Sequence, residues 1–189
     1  LPVDQTLHWA NPPRDCEDPA KDRDCRGTNA EPYEGPVPMI VHVHGAETTE
    51  WSDGYPEAWY LPAANDIPVG YAASGSFYDT FKGSAEAAYT GKQAINWGPG
   101  YATFEYANDQ EATTLWYHDH SLGMTRLNVY AGPAGFYLLR GGPGDMVIGT
   151  LPGPAPALGD SPGIAYYEIP IVIQDRSFYT DASLAYPDN

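Results

Sequence analysis

Apolar positions along the chain gather in a few short runs, separated by long polar stretches rich in Pro and Gly. The first clear run is VPMIVHVHG at 37–45. Side chains alternate across a strand, so Ile40, His42 and His44 share one face and Val41 and Val43 the other, which predicts a buried strand with histidines along one side. Residues 46–75 are polar and Pro-containing and read as irregular connection, while 76–93 (SFYDTFKGSAEAAYTGKQ) predict one short helix. Strand signals return at 101–108 (YATFEYAN) and 113–120 (TTLWYHDH), and Asn108, Asp109, Gln110 and Glu111 between them are turn formers, so the two runs predict a hairpin. Residues 121–132 hold a helical turn and 134–140 (AGFYLLR) another apolar strand. Gly and Pro fill 12 of the 23 positions from 141 to 163, too many backbone exceptions for a regular element, so a linker is expected there. A new strand opens at 166–178.

Composition narrows the picture. The 189 residues carry 9 Lys and Arg against 25 Asp and Glu, a net charge of −16, which disfavours nucleic acid and anionic membrane as partners because both require clustered cations. Apolar residues at 42% and 15 tyrosines exclude wholesale disorder, and the length suits one domain, or one domain and part of a second. No apolar run approaches the roughly 18 residues of a bilayer span, and Leu1 opens without the pattern of a signal peptide, as expected of a processed, cloned or cleaved chain. Residues 14–34 hold 11 of the 34 charges and read as a surface loop. Cys16 and Cys25 bracket part of it. A disulfide there would stabilise by roughly 2–3 kcal/mol and imply an oxidising compartment, secreted, periplasmic or spore-coat; two unpaired surface thiols are the other reading.

Four of the five histidines fall in two His-x-His pairs, His42/His44 and His118/His120, which random placement rarely produces. On a strand, residues i and i+2 point to one face, so each pair can hold two ions or converge on one. A single strand histidine is usually a hydrogen-bonded packing residue. Four together without a metal would leave many ring nitrogens needing partners, so a metal site is the better expectation. Imidazole donors suit Cu, Zn, Fe or Ni, and spacing does not choose among them. The chain has no Cys-x-x-Cys pair, nucleophile elbow or phosphate-binding Gly-rich loop. His8 stands apart, with no role assigned.

HVHG at 42–45, SDGYPEAW at 52–59, TLWYHDH at 114–120, TRLNVYAGPAGFYLL at 125–139 and EIPIVIQDRSF at 168–178 together resemble bacterial multicopper oxidases of the spore-coat laccase and bilirubin oxidase type. The resemblance implies an all-β, Greek-key cupredoxin sandwich or barrel with long irregular loops. It divides the chain into a first cupredoxin domain at 1–142 lacking its first strands, a linker at 143–165 and the start of a second domain at 166–189. It implies copper as cofactor, with His42 on the type 2 copper, His44 and His118 on one type 3 copper and His120 on the other. Further ligands would come from other cupredoxin domains of the same enzyme, and the partners would be O2 and a small aromatic or metal-ion reductant. Asp53 matches an acidic residue that assists proton delivery, although a turn Asp before Gly54 explains it nearly as well. Trp116 lies on the ligand face and Tyr117 on the opposite one, where packing is their expected role. Neither Cys has a histidine neighbour, so the type 1 copper site of that family is not encoded in this stretch. The expectation is one part of a laccase-like oxidase; the rivals are a non-catalytic copper or zinc binding module and a metal-ion or phenoxazinone-type oxidase of the same fold.

Overall fold

The computed structural model describes residues 35–62, 71–89, 96–141, 145, 158–165 and 169–186. His8, Cys16, Cys25 and the charged loop at 14–34 lie outside the described residues, as does most of the Gly/Pro-rich stretch; its described part at 158–165 contains turns and no strand or helix.

The centre of the fold is an antiparallel sheet of three strands, β1 (Val41–His44), β2 (Thr114–Asp119) and β3 (Ala134–Leu138), with β2 in the middle. His42 sits opposite His118, and His44 opposite Trp116. Directly paired residues share a face, so one face of β1 and β2 presents His42, His44, Trp116 and His118. The other presents Val43 and Leu115, both buried, and Asp119, only 3% exposed. Of the β1 residues only Val43 is fully buried, so the strand is less enclosed than its β-branched run implies: its histidine face is open.

Helix α1 (Tyr78–Ala88) falls inside the stretch expected to hold one. Tyr78, Phe81 and Ala85 recur on one helical face and are its buried residues. Helix α2 (Thr125–Ala131) extends the expected turn after β2, burying Leu127 and Asn128, and stops at Gly132, whose φ of +144° is open to glycine. The hydrophobic core joins these helices to Trp59, Tyr60 and Leu61. The described part of the 46–75 stretch holds two short 3-10 turns and is otherwise irregular, as expected, but it is not merely peripheral. Its backbone pairs through Met39 and Tyr60 beside the start of β1.

Two strand expectations fail. Residues 101–108 form no strand and no hairpin with β2. Both edges of β2 are already occupied by β1 and β3, and backbone groups of the 101–108 run are taken by side chains instead. Trp97 Nε1 donates to Thr103 O, Thr48 Oγ1 donates to Glu105 O, and Glu105 N donates to Ser52 Oγ, at 2.8, 3.0 and 3.0 Å. In the described part of 166–178, residues 169–178, strand pairing is confined to β4 (Ser177–Phe178) against β5 (Leu184–Ala185), because no other described strand lies alongside. Ile169, Ile171, Val172 and Ile173 are 54–95% exposed. The described residues thus form antiparallel sheet with few helices, consistent with a cupredoxin-like domain, and among them no closed barrel is present. No helix of the described residues is long and apolar enough to cross a membrane.

Candidate metal centre

The pairing register of β1 and β2 brings the two His-x-His pairs together. His42 lies 5.6, 5.2 and 4.7 Å, ring centre to ring centre, from His44, His118 and His120. His120 follows the end of β2, held by its N–H on Ile40 O at 2.8 Å. One ligand atom from each of His42, His44 and His118 lies within 4.8 Å of the other two.

Which nitrogen each ring offers follows from what its other nitrogen touches. His42 Nδ1 lies 2.5 Å from Asp53 O, His118 Nδ1 2.7 Å from Asp119 O, and His120 Nδ1 2.9 Å from Gly54 O. A carbonyl only accepts, so each Nδ1 carries the proton and each Nε2 keeps its lone pair. His44 is turned the other way: its Nδ1 lies 3.4 Å from His118 Nε2. Two nitrogens at that separation, each about 2.0–2.1 Å from a shared first-row ion, subtend roughly 110° at it, an ordinary ligand angle. Three imidazole ligand atoms within 4.8 Å of one another, with the His120 ring centred 4.7 Å from that of His42, fit an imidazole-ligated metal group such as copper.

Electrostatics favour the neutral rings that ligation needs. Burial pushes both His118 and His120 below the ordinary imidazole value of 6.5, with His42 nearby adding to the effect; the carbonyls on Nδ1 work against it. Trp116 packs its ring 4.3 Å from His118 and 5.5 Å from His44, on the ligand face as its position in β2 predicts. Tyr117 points the opposite way, its ring lying across Gly135. Asp53 is at the rim, its side chain 54% exposed, with Oδ1 3.3 Å from His42 Nδ1.

Two features escape sequence reasoning. Asp119, between two candidate ligands, turns its carboxylate away from them and accepts from Ile40 N at 2.9 Å, Ser121 Oγ at 2.8 Å, Ser121 N at 3.2 Å and Asn128 Nδ2 at 2.9 Å. Burial raises its pKa, opposed by these donors. The carbonyls of Asp53 and Gly54 are equally hidden, since a backbone acceptor has no residue signature; only the Asp-Gly dipeptide, a turn signal, hinted at them. Beside the centre lies a cavity of about 930 Å³, with His44, His118 and His120 on one side and Arg126, Tyr130 and Arg176 among its other lining residues.

No family model matches the sequence. Among curated proteins, the chain is similar to a laccase of Bacillus stratosphericus, 35% identical over 187 residues, and to a laccase of Bacillus subtilis, 30% identical over 189; each alignment takes in 99% of this chain and 25% of the relative. It is also similar to multicopper oxidase LPR1 homolog 1 of rice, Oryza sativa, 32% identical over 153 residues, covering 81% of this chain and 20% of that protein. The chain therefore spans about a quarter of the length of the laccases it matches. The alignments to laccases, with a cluster of imidazoles where the paired strands meet, match the chain to a quarter-length stretch of the multicopper oxidases.

Proposed function

We propose that the chain contributes four imidazoles to the trinuclear copper cluster of a laccase-like multicopper oxidase. His42 serves the type 2 copper, His44 and His118 one type 3 copper, and His120 the other; the remaining ligands and the type 1 site belong to further cupredoxin domains. The observation that supports this reading is the convergence of both His-x-His pairs across one strand pair, with three Nδ1 atoms held by carbonyls and their Nε2 atoms left to ligate. The proposed division of the chain is a Greek-key cupredoxin domain at 1–142, a linker at 143–165 and the opening of a second domain from 166. A disulfide between Cys16 and Cys25 would suit an oxidising compartment.

Copper supplies the one-electron chemistry through which four electrons from phenols, aromatic amines, pigments or metal ions, with four protons, reduce O2 to two waters. The chain's own groups do the rest. The carbonyls hold three rings in the ligating tautomer, and Trp116 shields His118 from solvent on one side. Asp53, half-exposed and 3.3 Å from His42, can take a proton from solvent at Oδ1 and hold it beside the centre. The test is His118→Ala in the full-length protein. Copper content is expected to fall and O2 consumption to cease, while electron uptake at the type 1 copper persists. Turnover retained in that variant would refute the ligand assignment.

A further inference from the structure

Resting on the copper-cluster reading, we infer that the turn at residues 53 and 54 is the positioning element of the centre: its two consecutive carbonyls orient one imidazole from each His-x-His pair. His42 and His120 come from different segments, yet the acceptors for their Nδ1 atoms are the carbonyl oxygens of two adjacent residues, Asp53 and Gly54. An imidazole can turn over about its Cβ–Cγ bond at little cost, which puts Cδ2 where Nδ1 stood and Cε1 where Nε2 stood and so removes the ligating nitrogen from its place. A carbonyl on Nδ1 removes that freedom. Because the two carbonyls are consecutive, any displacement of the turn releases both rings together.

Gly54 is what allows the turn to sit there. Its φ is +84°, a region L side chains rarely adopt, and a Cβ built on it falls 2.4 Å from Val41 O, 2.9 Å from Val41 C and 3.1 Å from His42 Cα. Those are backbone atoms of β1, which cannot swing aside as a flexible side chain could. Any L side chain at 54 therefore pushes the turn off the strand that bears His42. His118 is independent of this device, since its carbonyl partner belongs to Asp119 of its own strand. The Asp53 carboxylate is a separate contact to the same nitrogen, at 3.3 Å against 2.5 Å for the carbonyl, so positioning is expected to survive its removal.

The experiment reads histidine tautomers by 15N NMR in the metal-free, full-length protein labelled at histidine, and then titrates copper ions. In the native sequence, His42, His118 and His120 are expected to be protonated at Nδ1. In Gly54→Ala, His118 keeps that state while His42 and His120 lose it together, and copper binds about 10–100-fold more weakly. In Asp53→Ala all three keep it. A native protein with His42 or His120 protonated at Nε2 overturns the inference, as does Gly54→Ala with all three rings unchanged. Loss of the His42 tautomer in Asp53→Ala would transfer the role to the carboxylate and also overturn it. If Gly54→Ala disturbs His118 too, the variant has misfolded, and the native tautomers and Asp53→Ala decide. The two readings separate cleanly: native tautomers as expected without copper binding sink the cluster and leave the positioning device, whereas copper binding with other tautomers does the reverse.

Discussion

An imidazole whose Nδ1 proton is committed to a carbonyl has one lone pair left, and a proton and a metal ion compete for it. Burial weights that competition at His118 and His120, whose pKa values lie below the ordinary 6.5. The sign of the consequence for stability follows from proton uptake. Above about pH 7.5 both rings are essentially neutral in the folded and the unfolded chain, and no penalty arises. As the pH falls, the unfolded chain binds protons first, so the folded state loses stability until the pH has passed the lowered folded values. Asp119, with its raised pKa, acts in the opposite direction, but in the lower range where carboxyls titrate. The denaturant midpoint of metal-free protein is therefore expected to drop between about pH 7.5 and 5.5, and copper, which binds only the neutral rings, to offset the drop by an amount that grows with the logarithm of its concentration. A midpoint that stays level or rises over that interval would contradict the pKa directions.

Among the elements, the Asp119 network joins β1, β2 and α2. Asn128, on α2, donates to Asp119 at 2.9 Å and to Pro38 O, just before β1, at 3.0 Å. Asn128→Ala leaves two buried acceptors short of a donor and should cost about 1–3 kcal/mol. Gly83→Ala, inside α1 with open space around the added methyl, should instead add about 0.5–1 kcal/mol by restricting the unfolded chain and improving helix propensity. Urea midpoints of the two variants moving in opposite directions would bear out both assignments. The contrast also shows what the sequence discloses. β1 and β2 were readable because their alternation coincides with real burial on one face, and β3 by its apolar run, although its residues are only half-buried. The 101–108 run has the same alternation, but strand formation needs a free edge, and β2 had none to give. The histidine pairs announced themselves by spacing, whereas the groups that aim them are backbone carbonyls and a glycine, and the Asp119 carboxylate that ties β1, β2 and α2 together reads as a spacer between ligands. Such roles depend on close approach of distant segments, which a single sequence does not record.

Taken as a whole, the molecule is strongly acidic at −16, yet two guanidiniums lie along the cavity beside the histidines, Arg126 over the Tyr186 ring at 5.6 Å and Arg176 over Tyr130 at 5.4 Å. In the proposed enzyme the remaining ligands come from other cupredoxin domains. A chemical division of labour follows. Intense blue colour in a copper protein arises from a thiolate bound together with imidazoles, and neither Cys16 nor Cys25 has a histidine beside it in the sequence. The 189-residue chain alone is expected to bind Cu(II) through its imidazoles, to lack that absorption and to consume no O2. His42→Ala or His118→Ala should weaken the binding, while Cys16→Ser should leave both the spectrum and the stoichiometry unchanged. A blue, thiolate-type band in the purified chain, abolished by Cys16→Ser, would place a type 1-like site within it and overturn the assignment of that site to another domain.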